Sequence, residues 1–243
     1  MSMLVKNELM KLKRLKMVYV ILVISFIPYV VNTGGMLVTG AMDPDNYYFF
    51  VFNQYAILFP ALVFIFSGFF FYTEFQNGTT LNWISYPFHN FRLMFSKMAA
   101  TFLLLLGTSL INHVIHLITL WILFRTETGF PDILSRFFPS FLFTVLTLLV
   151  IPIAALLAFA TRNILSVVIA GLGSIFITTV LLGADFSIVF PFSFIYRVTI
   201  QFYDAAMGYE GTQLVFWGGL LLFVYISLSL FGLYKYSQKA RMS

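Results

Sequence analysis

A chain of 243 residues with 60% hydrophobic and only 9% charged side chains does not fold as an ordinary water-soluble domain, in which about a quarter of residues are charged. The net charge of +5 does not signal nucleic-acid binding, because the basic residues flank apolar runs and form no patch of their own. There is no cysteine, which excludes disulfides and thiolate metal sites.

In chain order, residues 1–16 place Leu4, Val5, Leu9, Leu12 and Leu15 on one arc at helical spacing, with Lys6, Lys13 and Arg14 opposite and Glu8 and Lys11 at the edges. That pattern predicts an interfacial helix lying on the inner leaflet of membrane lipid, and it also serves as a basic topogenic flank. The first apolar run, 17–38, exceeds a signal-peptide core and is followed by no small-residue cleavage pattern, so it reads as a retained anchor. Five further runs, 55–73, 98–124, 139–160, 163–183 and 213–234, reach the length of about 20 residues that a span needs. None of the six carries Asp, Glu, Lys or Arg in its middle. Barrel strands would give short alternating segments instead, so the prediction is an all-α membrane protein, one transmembrane domain over 1–243.

Residues 74–97 are too polar for lipid and too short for a domain. Gly78 and Pro87 punctuate them, which predicts turn, short helix and turn, with Leu81, Trp83 and Ile84 available to a partner's groove. The third run aligns Thr101, Thr108, Asn112, His116 and Thr119 on one face, with His113 adjacent. Two His three apart invite a metal reading. No span supplies a carboxylate or thiolate to complete it, so interhelical hydrogen bonding is expected and no metal site. The fifth run repeats small residues at Ser166, Ala170, Ser174 and Thr178, a stripe for close helix packing within the chain or between copies. Residues 184–212 are aromatic and interrupted by Pro191 and Arg197, which predicts an outer re-entrant segment before the last span.

Six spans put both termini on one side. Eleven of the fourteen Lys and Arg fall on that side, leaving Arg125, Arg136 and Arg197 opposite. The positive-inside rule then makes the termini and the 74–97 segment cytoplasmic. No phosphate-binding GxxxxGK[ST], no GxSxG and no HExxH occur, so no catalytic residue and no ATP site are assigned to this chain.

The order Glu74, Gly78-Thr79, Leu81, Tyr86-Pro87, Arg92, Lys97 resembles the first cytoplasmic loop of type-2 ABC transporter permeases, although the stretch after Pro87 departs from the family's Pro-x-Ser-Arg. The basic start, the six spans and the outer segment before the last one extend the resemblance along the chain. It implies a coupling helix in which Glu74, Gly78, Thr79, Leu81, Trp83, Pro87 and Arg92 serve contact with a separate ATP-binding subunit. It also implies two such subunits holding ATP and Mg, a second permease copy, and a smaller contact at Thr161-Arg162-Asn163. Short permeases of this kind resemble those of Gram-positive bacteria that expel bacitracin, lantibiotics or toxin peptides. An amphipathic peptide is therefore the expected passenger, with Asn112, His113 and His116 as candidate path residues. Two readings of other classes remain: a stand-alone cation carrier or channel, and a non-transporting immunity or sequestration protein.

Overall fold

The computed structural model describes residues 2–40, 43–78 and 88–239. Among these, every regular element is helical. Helix α1 (Ser2–Leu12) lays its apolar arc against the bundle, with Leu12 fully buried and Val5, Leu9 and Leu15 packed on the core. Lys6, Lys13 and Arg14 stay exposed. Part of the arc expected to face lipid is thus covered by protein.

The first apolar run is two helices, α2 (Lys16–Ser25) and α3 (Ile27–Thr39). Pro28 sits in the first turn of α3. It lacks the N–H that would continue the ladder and its ring crowds the preceding turn, so the helix breaks there. The same device splits the fourth run into α6 (Phe130–Leu148) and α7 (Ile151–Thr161), with Pro152 in the first turn of α7.

The longest elements are α4 (Pro44–Gln76) and α5 (Asn90–Leu123), of 33 and 34 residues. At about 1.5 Å per residue each is ~50 Å long, well beyond a hydrocarbon core of about 30 Å. Helix α4 starts where Asp43 accepts a hydrogen bond from the Asn46 N–H at 2.8 Å. It ends at Asn77, and Gly78 leaves it with φ of +64°, a conformation glycine adopts without strain. Helix α8 (Ile164–Leu181) follows a tight turn in which Arg162 takes φ of +50° and Asn163 caps the Leu165 N–H.

Helix α4 is the hub, packing on α3, α5, α7 and α8. Its Gly68 meets Val167 of α8, and Gly171 of α8 meets Ile65 of α4; a Cβ at either glycine would collide with that neighbour. Small residues therefore set the approach of these two helices. From the predicted stripe, Ser174 and Thr178 are buried and Ser166 and Ala170 half-buried.

After α8 come a 3₁₀ turn (Asp185–Val189), α9 (Pro191–Ile200), a second 3₁₀ turn (Ala205–Met207) and α10 (Thr212–Lys239). Arg197 ties the segment together. It donates to the carbonyls of Ala184 at 3.0 Å and Gly208 at 2.6 Å, and its guanidinium lies 4.2 Å from the centre of the Tyr209 ring. Among the described residues, counting α2 with α3 and α6 with α7, six helices are long and apolar enough to cross a membrane.

Candidate functional site

One end of the bundle gathers α1, the end of α4, the start of α5 and the end of α10, where Asn90 donates to the Ser237 carbonyl. At its centre is a charged cluster. Lys97 Nζ lies 2.5 Å from Glu74 Oε1 and 3.5 Å from Glu8 Oε2, while Lys11 Nζ lies 2.6 Å from Glu8 Oε1 and 3.5 Å from Glu74 Oε1. Lys97 is 1% exposed and Glu74 5%. A cation buried this deeply persists only if paired, and Lys97 also sits 3.7 Å from the centre of the Phe70 ring. At Lys11, partial burial alone would lower the pKa, but the hydrogen bond and charge of Glu8, with Glu74, outweigh it and raise it. Three helices are thus cross-linked by charge within one turn of where α4 gives way to the 79–87 stretch. Beside them lies the α7–α8 turn: the Phe159 ring centre is 4.9 Å from that of Phe75, and the Arg162 guanidinium is 5.8 Å from it.

The middle of the bundle holds a neutral polar seam between α4, α5 and α6. Tyr55 donates to Ser109 at 2.8 Å, and Ser109 and Thr144 share a 2.6 Å bond. His113 Nε2 is 3.1 Å from Thr144 Oγ1, and Thr144 donates to the Ser140 carbonyl at 3.0 Å. Ser140 reaches Tyr48, which donates to the Arg136 carbonyl. His116 stacks on Tyr48, ring centres 5.8 Å apart at 5°, and meets Tyr47 edge-on. Asn112 donates to the Ser25 carbonyl at 2.7 Å, beside the break between α2 and α3. At the opposite end, Asp45 of α4 accepts from both Arg136 of α6 and Tyr203, at 2.5 and 2.8 Å.

The profile of a family described as ABC-2 family transporter protein matches residues 4–177, from α1 into α8. The chain belongs to the ABC-2 transporter family. No curated protein matches it. An ABC-2 permease is a multi-pass membrane component of a transporter, and the family implies an ABC ATP-binding partner that carries the ATPase activity.

In this permease the residues singled out from sequence separate into groups. Glu74 is the buried centre of the charged cluster and Gly78 the turn beyond α4. Arg92 lies on α5 but is exposed, its guanidinium 5.6 Å from the Phe88 ring centre. Thr79, Leu81, Trp83 and Pro87 lie outside the described residues. Asn112, His113 and His116 are all buried, at 2% exposure each, and the first two are engaged with neighbouring helices. Sequence reasoning did not assign Glu8 and Lys11 to the site. Their signal was present as the two charges that spoil the apolar arc of residues 1–16, since a charge off the solvent face of an amphipathic helix needs a partner.

Proposed function

We propose that this chain is the membrane-spanning permease subunit of an ATP-driven exporter that moves an amphipathic peptide, toxin or antibiotic out of a bacterial cell. The family match over residues 4–177 supports the permease part of this reading, and the cargo and direction rest on the resemblance to short exporters. The complex would contain two permease copies and two ATP-binding subunits, which hold ATP and Mg. Both termini and the 74–97 segment would face the cytoplasm, as the distribution of Lys and Arg favours. In this arrangement 74–97 is the coupling segment, with Leu81 and Trp83 entering the ATPase cleft and Thr161-Arg162-Asn163 forming the lesser contact. The cluster of Glu8, Lys11, Glu74 and Lys97 supports the reading, because it fastens α1, α4 and α5 into one unit next to that segment. A push there moves all three helices together.

The test is a gentle pull-down of tagged protein from its native membrane with mass spectrometry of what copurifies. An ATP-binding protein in comparable amount, lost when Leu81 and Trp83 become Asp, is the expected result. A chain that purifies alone, or with a partner indifferent to those changes, overturns the coupling assignment. Direction and cargo are tested in inside-out vesicles, where ATP should drive an amphipathic peptide into the lumen.

A further inference from the structure

In the half of α4 nearer Asp45, two amide side chains stand at the depth of lipid hydrocarbon. Asn53 and Gln54 directly precede Tyr55, which donates to Ser109 near the middle of the apolar 98–124 run. Gln54 meets Asn32, a member of the apolar 17–38 run. Its Oε1 accepts from Asn32 Nδ2 at 2.9 Å, and its Nε2 reaches Asn32 Oδ1 only at 3.5 Å. Gln54 is nonetheless exposed, and among the described residues its second N–H has no acceptor. Asn53 is half-buried; its Oδ1 is buried without a partner, and among the described residues its side chain makes no hydrogen bond. Asn32 and Asn112 behave differently. Both are buried, and each donates to a backbone carbonyl, of Pro28 at 2.6 Å and of Ser25 at 2.7 Å. Beside the two outward amides, α3 presents bare backbone. Gly34 and Gly35 are exposed, a Cβ at either would meet nothing within 4 Å, and Val31 and Val38 flank them, exposed as well.

Acyl chains offer an amide neither donor nor acceptor, so an amide turned toward them is left unpaired at a cost. Polar side chains at this depth face protein or a water-filled cavity. Whatever covers this face must therefore supply a donor and an acceptor together. A primary amide carries both, so two amides related by a two-fold axis satisfy each other, the N–H of one meeting the oxygen of its mate and the reverse. The bare backbone at Gly34 and Gly35 lets a neighbouring helix come close enough for that exchange. We propose that a second copy of this chain covers the face, with Gln54 and Asn53 of the two copies bonded across a two-fold axis and their α3 helices closing at Gly34 and Gly35. This deepens the two-permease reading by making the second permease identical and giving its face, and it rests on that reading only in placing the pair within a transporter.

The chain has no cysteine, so single-cysteine variants cross-link only where they are placed. The full chain alone, without ATPase or nucleotide, is reconstituted at low density in liposomes of phosphatidylethanolamine and phosphatidylglycerol and oxidised with copper phenanthroline. F50C and I57C flank Gln54 by about one turn on either side and should give a covalent dimer. F176C and F223C, at exposed positions of α8 and α10, should not. N53L with Q54L should weaken pairing about tenfold in a lipid-dilution series, two reciprocal amide contacts contributing about a factor of three each. Because Q54L also deprives Asn32 of a bond, G34L with G35L is the second variant. Its side chains start in open space within the single chain, so the fold should hold, checked by unfolding in micelles, while pairing is lost. Equal cross-linking at all four positions, cross-linking at residue 176 or 223 alone, or variants that leave pairing unchanged overturns the proposal. Rapid labelling of F50C and I57C by a water-soluble maleimide with no covalent dimer also overturns it and gives the face to a water-filled path. A failed ATPase pull-down with these cross-links intact would sink the coupling reading and leave the pairing standing. The reverse outcome would leave the exporter reading and remove this face.

Discussion

Removing Glu74 should cost more than removing Glu74 and Lys97 together. In Glu74→Gln, Lys97 remains almost wholly buried and loses the carboxylate charge at 2.5 Å. Breaking a buried pair from one side typically costs about 3–5 kcal/mol. Here Glu8 remains 3.5 Å from Lys97, so the lower end, about 3 kcal/mol, is the expectation. Lys97→Met takes away the cation and leaves Glu74 to Lys11 at 3.5 Å. The double variant, Glu74→Gln with Lys97→Met, leaves no uncompensated charge and fills the site with similar volume, so its cost should fall to about 1 kcal/mol. The cycle then shows coupling of about 2 kcal/mol or more. Unfolding in dodecyl maltoside micelles titrated with dodecyl sulfate, followed by tryptophan fluorescence, measures all four proteins. Coupling below about 0.5 kcal/mol would show that the two side chains act independently and that the cluster does not hold α4 to α5. The cycle also bears on any charge-reversal test of coupling. Glu74→Lys places a third ammonium beside Lys97 and Lys11, so lost transport in that variant would report lost packing unless Glu74→Lys with Lys97→Glu fails as well.

Three further outcomes are expected from the same unfolding titration. Gly68→Ala should destabilise by about 1–3 kcal/mol by driving a methyl into Val167, with Val167→Ala in the same chain relieving part of that cost, whereas Gly107→Ala, which meets open space, should be neutral or stabilising by up to about 1 kcal/mol. Asn112→Leu removes the bond to the Ser25 carbonyl and should cost about 0.6–1.7 kcal/mol. Burial, and then the hydrogen bond to Asp45, push the Tyr203 phenol up to about 12 from its ordinary 10.0. Its folded pKa is the higher one, so the stabilisation is whole below pH 10.0 and lost as pH rises through about 12; Tyr203→Phe should remove that alkaline loss.

Six apolar crossings were legible because a bilayer imposes one rule on every residue of a span, and twenty apolar residues in a row have no other common explanation. Helix ends were less so. The 55–73 run lies within a helix that begins at Pro44, because Asn46, Tyr47, Tyr48, Asn53 and Gln54 lower the apolarity of its first turns without interrupting the backbone ladder. Two of these side chains find partners that sequence does not display: Tyr47 shares a bond with Thr33 and Gln54 accepts from Asn32. The break at Phe26 was visible only as Pro28, which reads equally as a kink or as an end. In the site, Glu74 and Lys97 were legible by their loop order, but Glu8 on α1 lies 89 positions from its partner Lys97, and nothing local encodes that distance. Arg197 looked like an interruption in an apolar stretch and is a fastener of carbonyls, since a long donor-rich side chain can satisfy backbone that does not close into a helix.

The placement of charge along α4 follows from its length. A helix of about 50 Å in a film whose apolar core is about 30 Å has a stretch at each end where an ion keeps partial hydration, and none in between. Asp45 occupies one end, paired with Arg136, and Glu74 the other, paired with Lys97. The intervening turns face neighbours through neutral groups only: Tyr48, Tyr55, and the hydroxyls and imidazole across from them. Bonds of that neutral kind contribute on average about 0.6 kcal/mol each within a membrane, little enough that one helix can shift against another and exchange partners. The ion pairs cost far more to part, because each leaves a charge behind. The strong contacts of α4 are therefore at its two ends and the exchangeable ones lie between them. Its ends are thereby held by charge and its middle by neutral bonds and by the close approach to α8 at Gly68 and Gly171.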